Sequence, residues 1–248
     1  DAKFVVAGTP AGVTLAPEGG AHQSTITASV GAELPNLTAS EPAYATEVDW
    51  LLCDALDQLS QPGGTSSYLR LSTRPIDQAP FAAALERLGE TELRREVLAG
   101  GYRLLEPAPA NNGTSADRPG VTIVTTGVMA PEALLAAEAL TDEGVASTVV
   151  HLTSPDRIYR DWRSRFTSAA AAARLPSGAV ELDRLIPAAE RSRPIVSVHD
   201  AASHSLAWLG SAVGTRQYTL GVDRFGESGT IADLYELTGI DTDTIVNT

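Results

Sequence analysis

One cysteine, one methionine and four histidines are spread over 248 residues, and aromatic side chains make up only 5%. The lone Cys53 excludes an internal disulfide and a cysteine-built zinc site, and it suits a reducing, cytoplasmic setting. Lys3 is the only lysine among 18 basic residues. A lysine Schiff base or a Walker-type phosphate loop needs a placed lysine, and no Gly-rich loop precedes Lys3. Pyridoxal enzymes and P-loop nucleotidases are therefore excluded. No run approaches the roughly 18 apolar residues of a membrane span, and the first residues lack a basic-then-apolar secretory signal. Positive charge is scarce, because 18 basic against 31 acidic side chains leave a net charge of −13. Nucleic acid is a poor partner for such a chain, since it is bound by clustered cations. The signatures G-x-S-x-G, H-E-x-x-H and G-x-G-x-x-G are all missing.

What is present reads as an α/β protein. Apolar residues at 43% and charged residues at 20% are ordinary for a globular chain, and the length allows one large domain or two small ones. A Pro/Asn/Gly-rich run at 107–119 divides the chain, giving halves at 1–112 and 113–248. In the first half, residues 4–7 read as a short buried strand, and a Gly/Pro-rich loop follows from 8 to 20. Apolar positions at three- and four-residue spacing predict a helix over 42–59, with Pro42 in its first turn. Glu41, Glu47 and Asp49 then sit at the positive end of its dipole. Strands are predicted at 68–72 and 101–105. The second half alternates strands at 121–125, 146–152, 194–199 and 218–222 with helices at 131–143, 203–212 and 230–238. The stretch between 153 and 193 reads as irregular and partly helical. Such alternation predicts a mainly parallel sheet with helices on both faces, which carries ligands at the carboxyl ends of its strands. The opening Asp1-Ala2-Lys3, with no initiating Met, reads as part of a longer protein or a processed subunit.

Chemistry-bearing residues cluster at those strand ends. His22 lies in the Gly-rich loop, where backbone comes close to a ligand and an imidazole exchanges protons with a reacting oxygen; the alternative is a loop histidine satisfied by a backbone carbonyl. Arg74 follows a strand end and is suited to anchor a carboxylate or phosphate. Arg70, inside that strand, reads as a partner in a buried or edge ion pair. His199-Asp200 and His204 close a strand and open a helix, where a metal pair is one reading and Asp200 or Ser203 as a helix cap is the favoured one. His151 reads as a core or edge histidine. Arg157, Arg160, Arg163 and Arg165, interleaved with Asp156 and Asp161, read as a solvated ion-pair surface.

Three segments carry a family resemblance: Thr14-Leu-Ala-Pro-Glu-Gly-Gly-Ala-His-Gln-Ser24, Glu41-Pro-Ala-Tyr-Ala-Thr-Glu47 and Tyr68-Leu-Arg-Leu-Ser-Thr-Arg74. Together with Thr153-Ser-Pro-Asp-Arg-Ile-Tyr-Arg-Asp-Trp162 and Leu220-Gly-Val-Asp-Arg-Phe-Gly-Glu-Ser-Gly229, they resemble the thiamine diphosphate enzymes of the transketolase superfamily. The branch they look most like is the homodimeric first component of the pyruvate dehydrogenase complex and its 2-oxo-acid relatives. The resemblance implies the end of a pyrimidine-binding domain over 1–112, followed by a transketolase-type carboxyl-terminal domain with a mainly parallel sheet. It implies that His22 lines the substrate channel and acts in catalysis, that Arg74 contacts a substrate anion, and that His204 borders the substrate. It also implies thiamine diphosphate and magnesium as cofactors.

Two departures refine the expectation. Gly19 stands where transketolases carry an aspartate that meets a sugar hydroxyl, and the loop is one residue shorter; both favour a small 2-oxo acid. No Gly-Asp-Gly motif is present, and the family's catalytic glutamate belongs before Asp1. The diphosphate and magnesium ligands are therefore expected on a partner chain, or on a longer form of this chain paired with its copy. The leading expectation is part of a 2-oxo-acid decarboxylating dehydrogenase component, with a lipoyl group as a candidate acceptor. A split transketolase moving a two-carbon ketol unit, and a non-catalytic assembly subunit, are the alternatives.

Overall fold

Two separate sheets form in the computed structural model, which describes residues 2–107, 119–171, 173 and 180–248. The first holds three parallel strands, β1 (Val5–Gly8), β2 (Leu37–Ser40) and β3 (Ser66–Arg70), in the order β1-β3-β2. The second holds β4 (Gly101–Leu105), β5 (Gly120–Thr126), β6 (Ala146–Leu152), β7 (Ile195–Val198) and β8 (Gln217–Leu220), in the order β4-β6-β5-β7-β8. All its neighbours are parallel except β4, which runs antiparallel to β6. The mixed α/β architecture is the one expected. The 112/113 division lies outside the described residues, but β4, on its amino-terminal side, pairs into the second sheet.

Alternation along the central strands explains the layering. Ile123 and Val149 point into one apolar cluster, while their neighbours Val124 and Val150 point into another on the opposite face. Period two puts successive side chains on opposite sides, so a sheet apolar on both is covered twice. The larger cluster also takes in Tyr44, Trp50 and Leu69 from the first half, so one core spans both halves. α2 (Ala45–Ser60) contributes Trp50, Leu51 and Ala55 to it, and α5 (Ala130–Asp142) contributes Ala133, Ala136 and Ala137.

Local signals set most helix ends. α9 (Ile231–Thr238) starts at a reciprocal cap, in which Thr230 Oγ1 accepts from the Asp233 N–H and Asp233 Oδ2 accepts from the Thr230 N–H; it stops at left-handed Gly239. α10 (Thr242–Asn247) is capped by Asp241. Three readings need correction. β1 is not buried: it is an edge strand, with Phe4 52% and Val6 44% exposed. The helix predicted at 203–212 is broken into a 3-10 turn (Ser203–Ser205) and α8 (Leu209–Val213). The Ser203 N–H goes to Asp223 across the sheet edge instead of into a local cap. The helix predicted from Pro42 begins at Ala45, because the Ala43 and Tyr44 N–H groups both donate to Glu47 Oε2.

Four elements carried no clear sequence signal. These are β2, α3 (Ala79–Leu88), α4 (Glu90–Ala99) and the full length of α6 (Pro155–Ala171). α1 (Val30–Glu33) and α7 (Glu181–Leu185) are single turns. Among the described residues, no helix is long and apolar enough to cross a membrane.

Candidate active site

The carboxyl ends of β2, β3 and β7 face one another across the two halves, and charged side chains fill the space between them. Arg70, the last residue of β3, is buried and donates from Nη1 to Glu41 Oε2 at 2.7 Å and to Asp200 Oδ1 at 2.8 Å. Its Nη2 donates to the carbonyls of Ser24 at 2.9 Å and Asp200 at 3.2 Å. His199 hydrogen-bonds through Nε2 to Glu41 Oε2 at 2.8 Å and through Nδ1 to Ser205 Oγ at 2.7 Å. Glu41 is also fixed by its backbone, accepting from the Gly127 N–H and donating to Thr153 O. Burial alone would raise the Glu41 carboxyl, but His199 and Arg70 hold it down at about 2. The Arg70 guanidinium, despite burial, is held above its usual range by Asp200 and Glu41.

The chain backbone closes tightly over this cluster. Gly12 has φ +69°, and a Cβ there would lie 1.8 Å from Asp200 Oδ2. Only glycine allows the loop to pass so close.

His22 sits on an exposed turn of that loop, its N–H donating to Gly19 O at 3.1 Å. The turn is moored on both sides. Ser24 O is held by Arg70, Thr25 O accepts from the Ala202 N–H, and the buried Gln23 side chain donates to Glu227 O at 2.9 Å. Gly19, at φ +83°, rests against the 221–229 loop, where a Cβ would lie 2.7 Å from Ser228 Oγ. An aspartate at position 19 would need the Ser228 hydroxyl to turn away and would be strained at this positive φ.

Arg74 is not free. Nη1 donates to both oxygens of Glu132, at 2.8 and 2.9 Å, and the guanidinium lies 5.3 Å from the centre of the Tyr235 ring. His204 is exposed, bonded to Ser29 Oγ at 2.9 Å, and lines a cleft of about 260 Å³ with Tyr159 and Trp208. None of His22, Arg74 and His204 is hydrogen-bonded to another among the described residues. Arg157 and Arg160 are half-buried struts: Arg157 binds Asp54, and Arg160 donates to Leu37 O, Gly31 O and Leu34 O.

A second buried network lies deeper. Glu47 accepts from Tyr102 Oη at 2.8 Å and bonds His151 Nε2 at 3.3 Å, joining α2 to β4 and β6. Glu47 stands in the first turn of α2 as its helix-start position suggested, and both it and Glu41 are buried anchors as well. Asp200 binds Arg70, and among the described residues its side chain makes no cap bond.

Only Glu41, His199 and Asp200 among the described residues bring three metal-type ligand atoms together, within 4.8 Å. The Arg70 guanidinium already occupies the cationic position between the two carboxylates. Magnesium carrying a diphosphate needs open oxygen ligands and room for water. This buried, cation-filled set does not fit it, so the chain's described residues supply no magnesium–diphosphate site.

The transketolase-like TK C-terminal domain family matches residues 100–241. The chain is 31% identical over 150 residues to the 6-deoxy-6-sulfo-D-fructose transketolase subunit SqwH of a Clostridium species, covering 60% of this chain and 38% of that protein. It is 28% identical over 231 residues to the pyruvate dehydrogenase E1 component of Mycobacterium tuberculosis, covering 92% of this chain and 23% of the relative. A solved split-gene transketolase, an inactive beta4 tetramer, superposes with a TM-score of 0.63 at 21% identity, covering 98% of this chain and 64% of that one. The chain spans well under half the length of these curated relatives. With more than half of its residues matched, it belongs to the transketolase-like C-terminal domain family.

Proposed function

We propose that the chain is the carboxyl-terminal part, or the smaller subunit, of a thiamine diphosphate-dependent enzyme acting on a small 2-oxo acid. The cofactor and its magnesium are held by residues that a partner chain, or a longer form of this one, supplies. Family membership and the subunit name of the SqwH relative support the need for a partner. The observation that carries the substrate class is the Arg74–Glu132 pair. Arg74 Nη1 is taken by both oxygens of that carboxylate, which partly neutralises the charge a sugar phosphate would need. Gly19, closed against Ser228, offers no carboxylate to a sugar hydroxyl. His22 remains as the exposed imidazole on a moored loop, suited to orient the substrate carbonyl or to move a proton.

The test is reconstitution with the cofactor-bearing chain, thiamine diphosphate and magnesium. Pyruvate, with a lipoyl or dye acceptor, should turn over faster than a ketose phosphate donor. His22→Ala should lower kcat about 100-fold, the scale of a lost acid–base group, with cofactor Kd unchanged. Equal losses in turnover and cofactor binding, or none in either, would remove His22 from the reaction. A second reading, ketol transfer by a split transketolase, is favoured by the SqwH relative. Faster turnover of the ketose phosphate would establish it.

A further inference from the structure

The buried ion cluster does more than join two sheets, because one of its members reaches the loop that carries His22. Arg70 uses one nitrogen for the two carboxylates and the other for the carbonyls of Ser24 and Asp200. Ser24 lies two residues beyond His22. The next carbonyl, that of Thr25, accepts from the Ala202 N–H, two residues beyond Asp200. Both ends of this short span are thus tied to the β7 carboxyl end, one through Arg70 and one directly. A lysine could carry the same charge but not the planar fork that meets carboxylates and carbonyls at once.

Two further observations give the arrangement direction. Glu41 is immobilised by its own backbone bonds and by His199, which in turn is held by Ser205. Asp200 is pressed by Gly12. The carboxylates are therefore fixed points, and the guanidinium transmits their position to the loop. Arg70 Nε and Asp200 Oδ2 make no hydrogen bond among the described residues, so the cluster leaves polar groups unpaired in a buried place. Core stability alone would favour an apolar replacement over such a set.

We propose that Arg70 is the positioning residue of the reaction centre: it sets where His22 stands, without touching substrate. This rests on the proposed role of His22. The function of the clasp is geometric, holding one imidazole within the narrow tolerance that reacting groups require.

The test has two arms. In the chain as purified, Arg70→Lys should raise hydrogen exchange of the Ala202 amide and of residues 20–27 about tenfold, leaving β5 and β6 amides unchanged. Should Arg70→Lys fail to fold, the isosteric Glu41→Gln serves, with a rise of a few-fold at the same amides. Loop amides as protected as in the unaltered chain would overturn the proposal. In the reconstituted enzyme, Arg70→Lys should lower kcat about tenfold with KM and cofactor Kd within twofold. Added guanidinium ion should restore activity to Arg70→Ala. If His22→Ala is itself silent, the proposed role of His22 has failed and the positioning proposal falls with it, whichever substrate turns over. If His22→Ala is severe but Arg70→Lys is silent in turnover, the positioning role has failed.

Discussion

Glu47→Ala is expected to destabilise the protein by about 3–5 kcal/mol, the scale of leaving several buried hydrogen-bonding groups without their partner at once. The carboxylate has no solvent exposure and accepts four hydrogen bonds: from the Ala43 N–H at 2.7 Å, the Tyr44 N–H at 3.0 Å, Tyr102 Oη at 2.8 Å and His151 Nε2 at 3.3 Å. Its removal leaves a phenol and an imidazole unpaired in the core and strips the first turn of α2 of its cap. His151 Nδ1 has no hydrogen-bond partner among the described residues, so the imidazole has no second bond there to fall back on. At about 2–4 °C per kcal/mol for a chain of this size, the melting temperature should drop by about 6–20 °C. Thermal denaturation followed by circular dichroism measures it. A drop below about 2 °C would show that Glu47 is not an anchor. Because the network ties α2 to β4 and β6, both halves of the wild-type protein should melt in one transition.

Acid should remove a comparable amount through Glu41. Its carboxyl sits at about 2 in the folded protein against an ordinary 4.5. Between those values the unfolded chain binds a proton that the native state does not, so stability falls as pH falls. The contribution is complete above about pH 5 and is lost progressively towards pH 2. At about 1.4 kcal/mol per pKa unit, it amounts to about 3 kcal/mol. Glu132 and Asp156 work in the opposite sense, since burial raises both carboxyls despite neighbouring arginines and hydrogen bonds. Comparison with Glu41→Gln isolates the one group. The stability gap between wild type and variant, read from urea unfolding at several pH values, should narrow by about 3 kcal/mol between pH 7 and pH 2. A gap constant down to pH 2 would mean that Glu41 does not owe its ionised form to Arg70 and His199.

The alternating second half was readable because its strands are apolar on both faces and its helices end on glycine or begin at a proline or a cap. α9 shows this most clearly, with Thr230 and Gly239 bracketing it. β1 was misjudged because an apolar tetrapeptide looks the same in the middle of a sheet and at its edge; strand order decides the difference. The loop around His22 was visible from its glycines. The ion cluster beneath it was not, since Arg70 meets Glu41 across 29 positions and Asp200 across 130. No local period relates such residues. Arg70 was recognised as an ion-pair candidate from its place inside a strand, but its partners had other local explanations. Glu41 and Glu47 looked like acids at a helix start, and Asp200 looked like a cap.

The antiparallel strand β4 bears on how this chain can be recombined with its relatives. A chimera joined in the Pro/Asn/Gly-rich run at 107–119, where composition invites the cut, would carry β4 over with the first parent. The second parent's sheet would then receive a foreign strand along β6, and its His151 would have to meet a foreign Glu47. A junction at Gly100, between α4 and β4, keeps the five-stranded sheet from one parent, and the contacts of Glu47, Arg70, Glu41 and Arg74 with Tyr102, His151, Asp200, His199 and Glu132 are then among those to be matched across the join.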